Sequence, residues 1–340
     1  MFRRLYQVMY LLWLSFPFAI CSAAETFEFV VLGDTAYKED AYPAYAALIG
    51  KINDSGADFT IHVGDTLGYQ SCEDDTYDRI DAQFEGFEMP LIYTPGDNEW
   101  TDCMPAGLSA DVREQRPAIV DYKLGRLDEL RRRYFSDDES LGQRKLKLRR
   151  QSAHGDERYR DYAENSYWIH NEVLFATVHI VGSSDNFHPY IEGLTLESIE
   201  RRGANYSWIT QMIEVAREHK VKAIVLAAHG AMFEREETDR YGSPFSGTAI
   251  IGGRSGPFVG YVYAMSVLAD NFDGPVLYVH GDYHRFVVDR PLMSKQKQGE
   301  RIETRYDNFT RLQVFGHPEL RAVRVTVDTD TEHVFGFVPM

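Results

Sequence analysis

A repeated strand ending constrains this chain more than any other feature. Three apolar runs, Phe27 to Leu32, Phe59 to Val63 and Pro90 to Thr94, each close on a Gly-Asp pair: Gly33-Asp34, Gly64-Asp65 and Gly96-Asp97. The aspartates lie 31 and 32 residues apart. Helical spacing fills the gaps, with Ala44, Ala47, Leu48 and Ile52 along Tyr42 to Asn53, and a shorter helix around Tyr77 to Phe87. Strand, helix and strand at this repeat length predict an α/β fold with a parallel sheet. Ligands of such sheets bind at the carboxyl ends of the strands, so three carboxylates are expected at one edge. The glycine before each is expected to let the backbone turn sharply.

The later chain adds to that edge. A strand Ala223–Ala227 runs toward His229, and Pro275 to His280 runs toward Gly281-Asp282 and His284. Five Gly-Asp pairs occur in all, four of them at predicted strand ends, where random order would give roughly two pairs. The middle reads as a helix from Asp121 to Tyr134 and a hairpin of Tyr167–His170 and Val173–Val181 turning at Asn171-Glu172. A long amphipathic helix over Leu196 to His219 follows, and another helix lies near Gly260 to Ala269. The charged stretch at about 136–164 reads as a solvated insertion, because acidic residues flank its lysines and arginines. Residues 231–257, rich in Gly, Ser and Pro, read as a loop long enough to serve a site. From Phe286 to Val338 only short strands are predicted. With no internal repeat and no linker, residues 25–340 count as one domain.

Arg3 and Arg4, an apolar run from Val8 to Ile20 and then Ser22-Ala23-Ala24 form the pattern of a signal peptide over residues 1–24. A retained anchor is the alternative, although the run falls short of the roughly 20 residues of a membrane span. The expected location is periplasmic or extracellular. Cys21 leaves with the signal, so Cys72 and Cys103 either pair in an oxidising compartment or stay free. With 44% apolar residues the chain is not disordered. Its formal charge of −16 argues against nucleic acid or an anionic membrane as partner. An acidic chain that handles an anion needs cations at its site. No feature of the sequence sets an oligomeric state.

A lone Gly-Asp at a strand end is ordinarily a turn or a cap. The joint order is the informative part. Asp34, Asp65, Asp97 and Asp282 with His229 and His284 would repel one another if left bare on one edge. Two divalent or trivalent cations sharing a carboxylate, ~3.5–4 Å apart, would resolve that cost. His62 and His280 lie within strands and are read as packing residues.

This order resembles the calcineurin-like metallophosphoesterases, whose motifs run D-x-H, G-D-x-x-D, G-N-H-E/D, a lone His and G-H-x-H. Here they read Asp34-Thr35-Ala36, Gly64-Asp65-Thr66-Leu67, Gly96-Asp97-Asn98-Glu99, His229 and Gly281-Asp282-Tyr283-His284. The resemblance extends over the chain after its signal. It implies a four-layer α/β/β/α sandwich of two mixed sheets, with the late strands forming the second sheet. It further implies hydrolysis of phosphate mono- or diesters by metal-bound hydroxide at a dinuclear site. By the same likeness Asp65 would bridge the metals, Asp34 and His284 would hold one, and Asp97, His229 and Asp282 the other. Asn98 is the alternative to Asp97 as ligand and, with Asp65, the residue nearest the chemistry.

The departures have chemical consequences. Ala36 stands where the family has a ligand histidine, Asp97 and Asp282 replace a ligand Asn and His, and Asn98 replaces the histidine that protonates the leaving group. More carboxylate and fewer imidazoles favour Mn, Fe or Mg over a purely zinc site. Purple acid phosphatases also lack the early histidine and use a Tyr three residues after the bridging Asp; Tyr69 is four after Asp65. His188 and Tyr283 are candidate proton donors by loop position, and Trp100 either stacks on substrate or packs its loop. The alternative to an enzyme is a relative that binds metal or a partner without turnover.

Overall fold

The computed structural model describes residues 26–68, 72–233, 256–293 and 305–340. The expected signal, Tyr69 and most of the 231–257 loop lie outside the described residues. Two mixed sheets form the centre. The first contains β1 (Phe27–Leu32), β2 (Phe59–His62), β3 (Leu91–Tyr93), β11 (Val323–Val327) and β12 (Phe335–Pro339), in the order β12-β11-β1-β2-β3. The second contains β4 (Arg149–Arg150), β5 (Ser166–His170), β6 (Val173–Thr177), β7 (Ala223–Ala227), β8 (Val276–His280), β9 (Val287–Asp289) and β10 (Phe309–Gln313), in the order β4-β5-β6-β7-β8-β10-β9. β1, β2 and β3 run parallel, as do β6, β7, β8 and β10, while the outer strands are antiparallel.

The layering follows from the two-residue period of strands. Phe29 and Val31 of β1 face Phe175, Val225 and Leu277 of the second sheet in one apolar layer. Val30 and Leu32, from the same strand, face the opposite way into a cluster with helices α1 (Tyr42–Asn53), α2 (Asp74–Glu85) and α3 (Arg116–Tyr134). Apart from the short α4 (Gln151–His154), the remaining helices are α5 (Glu192–His219) and α6 (Val259–Asn271). They pack on Leu174, Ile224, Leu226 and Tyr278 at the outer face of the second sheet. Three apolar layers between four structural layers make the α/β/β/α sandwich. Burial on both faces explains why β7, Ala223–Ala227, reads as an unbroken apolar run.

The helices obey local chemistry. Pro43 and Pro117 fall in the first turns of α1 and α3, where a missing N–H costs nothing. Along α5, Leu194, Ser198, Arg201, Asn205, Trp208 and Met212 are buried at three- and four-residue spacing, and the helix ends on left-handed Lys220. The β5–β6 hairpin turns at Asn171 and Glu172, both with positive φ, as a tight reversal of right-twisted strands requires.

Two expectations need correction. Of the late strands only β9 and β10 join the second sheet, whose other strands come from the middle of the chain; β11 and β12 return to the first sheet, where β11 lies antiparallel to β1. Non-local pairing of this kind has no local signal. The charged stretch is not a free insertion: β4 edges the second sheet, and Arg150, Gln151 and Glu164 are buried. Arg150 donates to the carbonyls of Asp137, Glu139 and Ala163, which explains how a charged segment docks. Among the described residues no helix is long and apolar enough to cross a membrane.

Candidate metal centre

The carboxyl ends of both sheets meet at one edge. Asp34 follows β1, Asp65 follows β2, and Asp97 and Asn98 follow β3; His229 follows β7, while Asp282 and His284 follow β8. Pairing continues past the strands and draws the turns together: Asp34 N–H donates to Gly64 O at 2.9 Å, Thr35 N–H to Asp65 O at 2.9 Å and Gly281 N–H to His229 O at 3.2 Å. Asp34, Asp65, Asp282 and His284 all have positive φ, from 53° to 77°. Left-handed backbone at residues with a Cβ costs roughly 1–2 kcal/mol each, a strain typical of functional edges.

The glycines do something other than expected. Of the four strand-end glycines only Gly64 has a positive φ; Asp34, Asp65 and Asp282 are themselves left-handed, and neither Gly96 nor Asp97 is. A Cβ at Gly96 would collide with the Asp65 carboxylate, and one at Gly281 with that of Asp34. Each glycine therefore makes room for the carboxylate of another strand.

Two groups of donor atoms result, each within 4.8 Å: Asp34, Asp65 and His229, and Asp97, His229 and Asp282. His229 belongs to both, with Nε2 at 2.9 Å from Asp97 Oδ1 and 3.4 Å from Asp65 Oδ1. His284 Nε2 lies 3.2 Å from Asp34 Oδ1. Both imidazoles are fixed from behind, because Nδ1–H of His229 donates to Val63 O at 2.8 Å and that of His284 to His317 O at 2.8 Å. In the neutral ring that leaves the Nε2 lone pair aimed at carboxylate oxygens, which is repulsive unless a proton or a cation stands between. Consistent with this, Nε2 of His229 and Oδ1 of Asp97 are buried without a hydrogen-bond partner. Four carboxylates and two oriented imidazoles fit a pair of hard cations.

The carboxylates are also held. Asn98 donates its backbone N–H to Asp65 Oδ1 at 3.1 Å and its side-chain NH2 to Asp65 Oδ2 at 2.8 Å and Leu67 O at 2.9 Å. Ala231 N–H donates to Asp282 Oδ2 at 3.0 Å. Ser183 Oγ lies 2.7 Å from Asp97 Oδ2 and 2.9 Å from Asp102 Oδ2. Glu99, fully buried, accepts from Thr66 N–H and Oγ1 and from Gly96 N–H, locking the β3 turn onto that of β2.

Protons stand in for charge in the bare protein. Burial first, then the neighbouring carboxylates, push Asp65 well above the usual carboxylate range, with His229 opposing them. Burial and then Asp97 raise Asp282 and Asp102 to about 7 each. Burial would raise Asp97 too, but His229 and the Ser183 hydroxyl outweigh it and hold Asp97 low. Burial disfavours the His229 cation, yet Asp65 and Asp97 raise its pKa well above the usual value. His284 is raised in the same way by Asp34.

Sequence reasoning missed three participants: Tyr37, Ser183 and Asp102. Tyr37 stands three residues after Asp34, one turn on, and that spacing was its only signal. Ala36 points away from the edge into the helix-side core, so the site is completed by its neighbour. Other candidates stay apart. Burial and then Lys123 lower His188 to about 4, so it carries no proton to give at neutral pH. Trp100 is fully buried against His179 and Arg201, which excludes stacking on a substrate. His62 and His280 are buried and lowered to about 3 by burial, as packing histidines are. Tyr283 occupies the turn between Asp282 and His284. A disulfide joins Cys72 to Cys103, with Cα atoms 5.6 Å apart, and so links the loop after β2 to the loop after β3.

No family model matches the chain, and neither does any curated protein sequence. Among solved structures it is similar to a dimetal phosphatase from Danio rerio, at 9% identity and a TM-score of 0.49 over 88% of this chain and 95% of that one. It is also similar to a phosphatase from Mycoplasma pneumoniae, at 9% identity and a TM-score of 0.40 over 93% of this chain and 94% of that one.

Proposed function

We propose that residues 25–340, read as one domain after an export signal over 1–24, form a metal-dependent phosphohydrolase acting on small phosphate mono- or diesters outside the cytoplasm. One observation carries the reading: two histidines are turned by Nδ1–H bonds so that Nε2 faces the carboxylates of Asp34, Asp65 and Asp97, with Asp282 in the same donor group as His229. Among the described residues no lysine or arginine forms an ion pair with any of those four. Two cations bound there would offset the negative charge, polarise phosphoryl oxygens and activate a water for in-line attack.

The chain's own residues supply preorganisation. Asn98 fixes both oxygens of Asp65, the carboxylate best placed to be shared, and Ser183 and Ala231 N–H orient Asp97 and Asp282. Of the two candidates after β3, Asp97 is the ligand in this reading, because its Oδ1 faces His229 while the Asn98 amide protons are spent on Asp65 and Leu67. Asn98 has no titrating proton, and His188 is neutral, so neither protonates a leaving group. General acid catalysis is typically worth 10²–10⁴-fold, so aryl esters should be turned over faster than alkyl esters by a margin of that order.

Turnover of p-nitrophenyl phosphate and its bis-ester, with and without Mn, Fe, Zn or Mg, tests the proposal. Metal-dependent hydrolysis of either ester supports it, and the preferred one defines the ester class. Bound metal without turnover would identify the non-catalytic alternative.

A further inference from the structure

The Asp34 side of the centre has a donor that the motif order does not provide. Tyr37 Oη lies 3.2 Å from Asp34 Oδ1, 2.9 Å from Asp65 Oδ2 and 3.0 Å from His284 Nε2. The three partners come from three different turns, after β1, β2 and β8. A phenol has one proton and can satisfy one of the three. His284 has already committed its Nδ1–H to His317 O, so its Nε2 adds a further lone pair to the same point. One proton among four converging donors is too little positive charge, and a cation at their centre is what would balance them.

The backbone explains why the tyrosine reaches this point. Ala36 is left-handed at φ 49° and buries its methyl among helix-side core residues, so the chain doubles back and returns Tyr37 toward the edge. The ring is then clamped, stacked on His317 at 5.2 Å between centroids and set edge-on to His284 at 5.3 Å. A side chain held by two rings, with its oxygen among three donors, is built to keep that oxygen in place.

We propose that the Tyr37 oxygen is a metal ligand, completing a four-donor pocket with Asp34, Asp65 and His284. The proposal rests on the dinuclear reading above. On binding, the phenol oxygen gives its lone pair to the cation and its proton passes to solvent. Three oxygens, one of them a phenolate, and one imidazole make a hard pocket suited to a trivalent ion such as Fe(III).

The test loads purified protein with ferric iron and reads visible absorbance per bound iron, iron being measured separately. A ferric phenolate absorbs in the visible by charge transfer, whereas carboxylate and imidazole ligands alone do not. The wild type is expected to bind iron and show the band. Tyr37→Phe should lose the band per bound iron, Tyr37→His should bind iron without colour, and Tyr69→Phe should keep the band. Far-UV circular dichroism confirms that each variant is folded. Iron bound by the wild type without the band overturns the proposal alone. So does a band that survives in Tyr37→Phe or disappears in Tyr69→Phe. A wild type that takes up no iron, manganese or zinc overturns the dinuclear reading and this proposal together.

Discussion

Two buried charged clusters lie close together in this molecule, and they solve the same problem in opposite ways. In the first, Arg201 is fully buried between Asp185 and Glu197, and Glu164 sits between Arg131 and His179. Every charge there has a protein partner. Burial would lower Arg201, but Asp185 and Glu197 push its pKa up; burial would raise Glu164, but Arg131 and His179 hold it well below the usual range. In the second cluster Asp34, Asp65, Asp97 and Asp282 share two histidines and, among the described residues, no arginine. There Asp65 and Asp282 are pushed up by burial and by neighbouring carboxylates, whereas in the first cluster burial raises Asp185 against the opposing pull of Arg201. With arginines beside one buried acidic cluster and, among the described residues, none paired with the next, the second fits an external cation.

That contrast predicts opposite responses to removing a charge. Asp65→Asn should abolish most metal binding and lower turnover by at least the roughly 10²–10³-fold that loss of one transition-state donor costs. In metal-free protein the same change should raise the melting temperature, since it relieves like-charge crowding. A mutant that keeps its metal and its turnover would remove Asp65 from the centre. Arg201→Met should do the reverse in denaturant titration, costing about 3–5 kcal/mol because Asp185 and Glu197 are left buried and unpaired. If both substitutions destabilise the metal-free protein alike, the two clusters are not different in kind.

The pH dependence sharpens the point. Asp282 and Asp102, near 7 when folded, hold protons that an unfolded carboxylate releases at about 4. Their contribution to stability therefore falls as pH rises from about 4 to about 7. His229 and His284, both raised, stabilise fully below their unfolded pKa of about 6.5 and lose that as pH rises through the folded value. All four signs agree, and low-lying Asp97 opposes them only below about pH 4. Metal-free protein should thus melt lower near pH 8 than near pH 5.5, and saturating Mn should remove the slope by replacing the protons. A flat profile without metal would contradict the crowding on which the site is argued. A smaller effect is expected from Ser183→Ala, which should weaken metal binding about 10–100-fold by freeing Asp97, as loss of an outer-shell hydrogen bond does; isothermal titration would measure it.

The comparison also shows what a sequence can disclose. Asp34, Asp65 and Asp97 were legible because strand periodicity and a regular βαβ spacing put each at a defined place on a defined edge. The arginine-matched cluster was not, since Arg201 and Asp185 meet through a bend in which Ser183, Ser184, Asp185 and Asn186 are all left-handed while the adjacent Gly182 is not. Ser183 was missed for the same reason. Tyr37 was hidden because the motif pointed to position 36, and a left-handed Ala36 hands the role to its neighbour. The start of α3 at Arg116 could have been read from Pro117, whereas the return of β11 and β12 to the first sheet depends on pairing across nearly the whole chain. The disulfide was legible in its place as well as its pairing, because Cys72 and Cys103 follow Asp65 and Asp97 by seven and six residues on neighbouring site loops and would be the two cysteines left after the expected signal.

Elemental analysis of the purified protein, combined with its melting temperature before and after chelation, tests the central claim most directly. The account predicts two equivalents of a transition metal or magnesium per chain, and a melting temperature that drops on chelation and recovers with added metal, because ligands that bind only the folded state stabilise it. No bound metal after incubation with Mn, Fe, Zn and Mg, and no change in melting on chelation, would mean that protons alone balance the four carboxylates and that the centre is not a metal site.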